Sequence, residues 1–94
     1  MYVFSVNATA KKAMPDFPQG KTVPFIVYIN APALEGAKKL CTMHLLRAGF
    51  FKIEIEKQKK IAANVLADKK RVAAHSGLSE AVAKGYAIHV FDED

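Results

Sequence analysis

One cysteine, Cys41, stands in the 94 residues. A lone thiol excludes an internal disulfide and any CxxC zinc ribbon, and it fits a reducing compartment. Long apolar runs are missing as well: none approaches the roughly 18 residues of a membrane span. The opening "MYVFSVNATAKK" has neither the basic start nor the extended apolar stretch of a secretory signal. A cytoplasmic location is therefore expected. The triplet "GKT" at 20–22 resembles the end of a phosphate-binding loop, but the glycine required five residues before Gly20 is replaced by Pro15. A proline-containing, β-branched segment follows where that motif needs a helix, so the match is chance.

What is present describes a folded globular chain, 51% hydrophobic and 24% charged. Its length suits one core, read here as a single α+β domain over residues 1–94. The net charge of +5 is concentrated in one place. Residues 57–71 hold six basic side chains against one acidic, whereas residues 72–94 hold one basic and four acidic. Such a patch attracts phosphates or an acidic partner, and it equally keeps a surface hydrated.

Hydrophobic periodicity predicts the elements. "YVFSVNA" alternates as a strand, and "TVPFIVYIN" is apolar on both faces, as a central strand is. Between them, "TAKKAMPDFPQGK" reads as a long connection. A helix is predicted from residue 31 or 32 to 48, with Asn30 able to cap it and Gly49 ending it. Its apolar face combines Leu34, Ala37, Leu40, Cys41, His44, Leu45 and Ala48. "FFKIEIEK" alternates apolar with charged residues, which suits an edge strand. Helical spacing is predicted from Gln58 onward, with a break near Asp68, which can cap a new turn. "SGLSEAVAKG" adds a short helix with Ser76 or Ser79 as cap and Gly85 as terminator, "YAIHVF" a last strand, and "DED" a solvated tail. The order β-β-α-β-α-β, with a short extra helix before the last strand, predicts an α+β two-layer sandwich. Its four-stranded mixed sheet carries two main helices on one face, in the broad ferredoxin-like style though not in its strict order.

Candidate sites follow from what this arrangement leaves over. Lys57, Lys59, Lys60, Lys69, Lys70 and Arg71 could grip nucleic acid, yet no aromatic residue interleaves with them between 56 and 77. Single-strand binders need such stacking rings, so a hydrated helix face is the stronger reading. Cys41 and His44, one turn apart, lack the further ligands a zinc site needs and read as core and core rim. Glu54 and Glu56 share a strand face with Lys52 and read as an exposed edge.

Helices on one side would leave the other side of the sheet free and partly apolar, with Val3, Ile26, Tyr28, His89 and Phe91 on it. Pairing of two copies through that face is the expectation. Met14 and Phe17 lie in a loop longer than a hairpin needs, either as contact residues or as a plug over the core. Candidate partner-binding residues are thus Met14, Phe17, Tyr28 and Phe91. The reading is a non-enzymatic protein-binding, regulatory or inhibitory module, homodimeric through its sheet face and steered toward an acidic protein partner. No cofactor, metal or catalytic residue is expected. The alternatives are a nucleic-acid-binding module using the basic segment and a small enzyme with His44 or His89 in a cleft between protomers.

Overall fold

In the computed structural model, which describes residues 1–91, the alternation at the start of the chain becomes strand β1 (Tyr2–Ala10). Strand β2 (Thr22–Ile29) pairs antiparallel with it, Val6 opposite Phe25 and Phe4 opposite Val27. Helix α1 (Leu34–Arg47) carries the chain to β3 (Phe50–Lys60), which pairs antiparallel with the other side of β1. Three short helices, α2 (Ala63–Ala67), α3 (Lys69–Ala74) and α4 (Ser76–Lys84), lead to β4 (Tyr86–Val90), antiparallel to β2. The strand order is β3-β1-β2-β4.

The α+β class holds, but three finer expectations do not. The sheet is antiparallel throughout and not mixed. α1 does join two strands that run the same way, but β1 lies between them, so no parallel pair forms. The order β3-β1-β2-β4 also lacks the broad ferredoxin-like style expected. Finally, the helices occupy both faces, so there are three layers and not two.

Phe4, Val6, Ala8, Val23, Phe25, Val27 and Ile29 point to one side and pack with Ala37, Cys41 and Leu45 of α1. Tyr28 and Ala87 point to the other side and pack with Leu78 and Ala81 of α4, with Val3, Ile26, Val65, Leu66 and Val72 around them. A central strand apolar on both faces must be covered twice, because uncovered apolar surface costs about 25 cal/mol per Å². The second cover follows the sequence closely. Along β1 the residues on that face run Val3, Ser5, Asn7, Thr9, and along β2 they run Tyr28, Ile26, Pro24, Thr22. The short helices lie over the apolar half and leave the polar half open.

The long basic helix expected from Gln58 is absent. β3 instead continues through Lys57, Gln58, Lys59 and Lys60, because Ser5, Phe4, Val3 and Tyr2 of β1 offer them pairing partners. A ladder of backbone hydrogen bonds outweighs weak side-chain alternation. Past the strand the chain breaks at Asp68, whose carboxylate accepts from the N–H groups of Lys70 (3.1 Å) and Arg71 (3.3 Å). α4 is capped not by Ser76 or Ser79 but by His75, whose Nδ1 accepts from the Leu78 N–H at 3.4 Å. α1 begins at Leu34 without a side-chain cap, so Asn30 does not serve as one. Gly49 and Gly85 end α1 and α4 with φ of 98° and 94°, the left-handed stops expected. The acidic residues 92–94 lie outside the described residues.

Gly77 sets how closely α4 approaches the sheet. A Cβ there would clash with the Cε1 edge of the Tyr28 ring. Gly77→Ala is expected to cost about 2 kcal/mol in urea unfolding, despite alanine's better helix propensity. At Gly36 of α1, by contrast, a Cβ would meet nothing within 4 Å. Gly36→Ala should therefore stabilise by about 0.5–1 kcal/mol. Equal behaviour of the two variants would contradict the close packing of α4.

Candidate functional site

α1 is apolar on two opposite sides. Ala37, Cys41 and Leu45 are buried against the sheet, while Leu40, Met43 and Leu46 face outward with 37%, 41% and 52% of their surface exposed. The outward three are spaced i, i+3, i+6, so they form one stripe along the helix. Lys38, Lys39, Thr42 and Met43 line a shallow apolar depression of about 400 Å³ beside it. Lys39 and Arg47 flank the stripe, and Lys38 lies 3.9 Å from Glu35. The expected apolar face placed Leu40 in the core and gave Met43 and Leu46 no role. Their helical spacing, half a turn away from Cys41 and Leu45, was the available signal.

The residues expected to bind a partner are dispersed. Tyr28 is only 9% exposed beneath α4, so the sheet face on which a dimer was expected is not free. Met14 and Phe17 fold back onto the main core, half-buried, with the Phe17 ring edge-on to Phe50 at 5.8 Å. The loop is closed by the Met14 N–H donating to the Phe17 carbonyl at 2.7 Å and the Lys11 N–H donating to the Gly49 carbonyl at 2.9 Å. Phe91 alone stays open, 42% exposed beyond the end of β4. The basic residues are divided between two elements: Lys57, Lys59 and Lys60 on β3, and Lys69, Lys70 and Arg71 on the first turn of α3, all exposed.

Cys41 is fully buried, and desolvation pushes its thiol from 9.0 up to about 12. A thiol held neutral there is no nucleophile. His44 stacks flat on Tyr86 of β4, with ring centroids 3.8 Å apart and planes 16° apart. Partial burial, and then the Arg47 charge, lower its pKa from 6.5, so the stack holds a neutral ring at neutral pH.

The densest titratable cluster surrounds Tyr28. Its hydroxyl lies 3.4 Å from His75 Nε2, and its ring meets those of His75 and His89 edge-on. His89 Nε2 is 3.6 Å from Glu80 Oε1. His75 accepts through Nδ1, so its neutral form carries the proton on Nε2 and donates toward Tyr28. Burial raises the Tyr28 pKa. These groups are committed to capping α4 and holding it on the sheet.

A second depression, of about 350 Å³, lies over the open polar half of the sheet among Asn7, Thr9, Gly20, Thr22, Lys52 and Glu54. Beside it, β3 bulges at Lys52, whose φ is 51°, and Asn7 donates to Glu56 at 2.6 Å. Neither depression is lined by His44 or His89. Among the described residues no group of three or more His, Cys, Asp or Glu is placed to hold a metal ion. Also among them, no helix is long and apolar enough to cross a membrane. No family model, curated protein or solved structure matches this chain.

Cys41 makes a pH prediction with a definite sign. Its folded pKa lies above the unfolded one, so its contribution to stability is complete below about pH 9 and is lost as pH rises toward 12. In that window the unfolded chain releases a proton that the folded chain keeps. The difference between wild-type and Cys41→Ala stability should fall by about 1.4 kcal/mol per pH unit across it. Iodoacetamide labelling that proceeds without unfolding would contradict the burial. For His44 the sign reverses: its stabilisation is present above 6.5 and lost as pH falls below it. An NMR titration of the His44 ring should show a midpoint under 6.5, and a midpoint at or above that value would remove the stacked neutral ring.

Proposed function

We propose that this chain is a non-enzymatic protein-binding module whose contact surface is the outer face of α1. The exposed stripe Leu40, Met43 and Leu46 carries the reading. A helix already anchored by Ala37, Cys41 and Leu45 gains nothing in folding from a second apolar side. Contiguous exposed apolar residues rimmed by charge are the usual form of an interaction surface. The rim selects the partner's chemistry. Lys38, Lys39 and Arg47 against the single Glu35 make the surface basic, so it suits an acidic, amphipathic segment of another protein. Leu and Met side chains in the middle would supply contact area, and the basic rim would steer encounter.

The chemistry of the remaining groups supports a binding rather than a catalytic role. Cys41 is buried and un-ionised, His44 is stacked, and the histidines near Tyr28 hold a helix in place. For the basic residues at 57–60 and 69–71, hydration of an edge strand and of a short helix is sufficient reason, since lysines on a sheet edge prevent unwanted pairing.

A photo-crosslinking amino acid at Leu46, introduced in the host cell, should trap a discrete protein through a segment rich in Asp and Glu. Met43→Glu should abolish that adduct while shifting unfolding stability by no more than about 0.5 kcal/mol. An adduct undiminished by Met43→Glu, or nucleic acid as the only product, would overturn the assignment.

A further inference from the structure

The sheet has two free edges of opposite character. β3 carries Lys52, Glu54, Glu56, Lys57, Lys59 and Lys60, so more than half of the strand is charged. Pairing it antiparallel with its own copy about Ile55 would set Glu54 against the copy's Glu56, and like charges directly opposed destabilise a sheet. β4, "YAIHV", contains no Lys, Arg, Asp or Glu. No segment among the described residues pairs with its outer side, since β4 ends the strand order.

The hydrogen-bond phase of β4 is also defined. The Asn30 N–H donates to the Gly85 carbonyl and the Phe91 N–H to the Pro24 carbonyl, both at 2.9 Å. Between these two contacts, Ala87 lies opposite Tyr28 and His89 opposite Ile26. Bonded pairs alternate along an antiparallel ladder, so residues 85, 87, 89 and 91 spend their backbone groups on β2. Tyr86, Ile88 and Val90 therefore direct their N–H and C=O groups outward, three donors and three acceptors placed symmetrically about Ile88. Val90 is 51% exposed, and Ile88 and Tyr86 are partly buried against the main core on the same side of the sheet.

We propose that two copies of this chain pair antiparallel through β4 about a two-fold axis at Ile88, giving one continuous eight-stranded sheet. In that register Ile88 exchanges both bonds with the second copy's Ile88. Tyr86 exchanges both with the second copy's Val90, and Val90 with its Tyr86, so all outward groups on both strands are satisfied. An aromatic opposite a β-branched residue is a favourable cross-strand pair. The absence of charge makes the strand compatible with itself, which two-fold pairing requires because the same residues face one another. The apolar side chains of Ile88 and Val90 from both copies then cover one another. The pairing uses none of Leu40, Met43 or Leu46, so it stands independently of the partner surface on α1.

The test is mass in solution by size-exclusion chromatography with light scattering, at about 0.1 mM, which populates a dimer of micromolar dissociation constant. Wild type should show twice its 10.3 kDa chain mass. Val90→Pro removes an outward N–H that β2 does not use, and proline is tolerated on sheet edges, so it should give a monomer with unchanged circular dichroism. The register is tested separately. Ile88→Cys should form an intermolecular disulfide on mild oxidation, because directly opposed bonded residues lie about 5.5 Å apart between Cα atoms. Val90→Cys should not, its counterpart lying about 13 Å along the strand. A monomeric wild type, a Val90→Pro variant that remains dimeric, or crosslinking at Val90 as fast as at Ile88 would each overturn the proposal. Leu46→Glu should leave the dimer intact, and loss of the dimer in that variant would transfer the interface to α1.

Discussion

Strand β1 is the constraint from which the rest of the structure follows, because it is hydrogen-bonded on both sides. Its pairing with β2 sets which residues of the hairpin face α1, and its pairing with β3 extends that strand to Lys60. Side chains alternate along it, so a single register decides two surfaces at once. Phe4, Val6, Ala8 and Ala10 go into the main core. Val3, Ser5, Asn7 and Thr9 make a gradient from apolar to polar on the reverse side, and that gradient determines where the second layer of helices comes to rest.

The second layer is built with very little apolar material. α2 and α3 have no buried residue, and α4 buries Gly77, Leu78 and Ala81. It is held by small, specific contacts: a glycine against an aromatic ring, a histidine capping a helix, and a carboxylate capping another. Elements held by few buried contacts sit at the low end of local stability. The first layer, α1, is anchored more deeply and has apolar side chains to spare. That difference is why the proposed contact surface lies on α1 and not on the face opposite.

The elements are legible in the residues wherever one pattern is uncontested. β2 reads as central because it is apolar on both faces, β3 as an edge because Lys52, Glu54 and Glu56 alternate with Phe51, Ile53 and Ile55, and Gly49 and Gly85 as helix stops. The segment after Glu56 is not legible in this way. Its spacing reads as helical, while the residues that make it a strand, Tyr2 to Ser5, stand at the start of the chain, far away in sequence. The candidate site is only half legible. Met43 and Leu46 are visible as leftover apolar positions, but Leu40 sits at the boundary of both faces, and only packing shows that it points away from the sheet.

The sequence by itself determined the local rules: which strands alternate, where helices stop, that one thiol stands alone, and that charge gathers between residues 57 and 71. Tertiary structure alone decided that Tyr28 is covered, that helices occupy both faces, and that the basic cluster is split between a strand and a helix. The physical reason is distance along the chain. Propensity, capping and periodicity act over a few residues, whereas the covering of a face and the pairing of an edge depend on residues that meet only when the whole sheet is assembled.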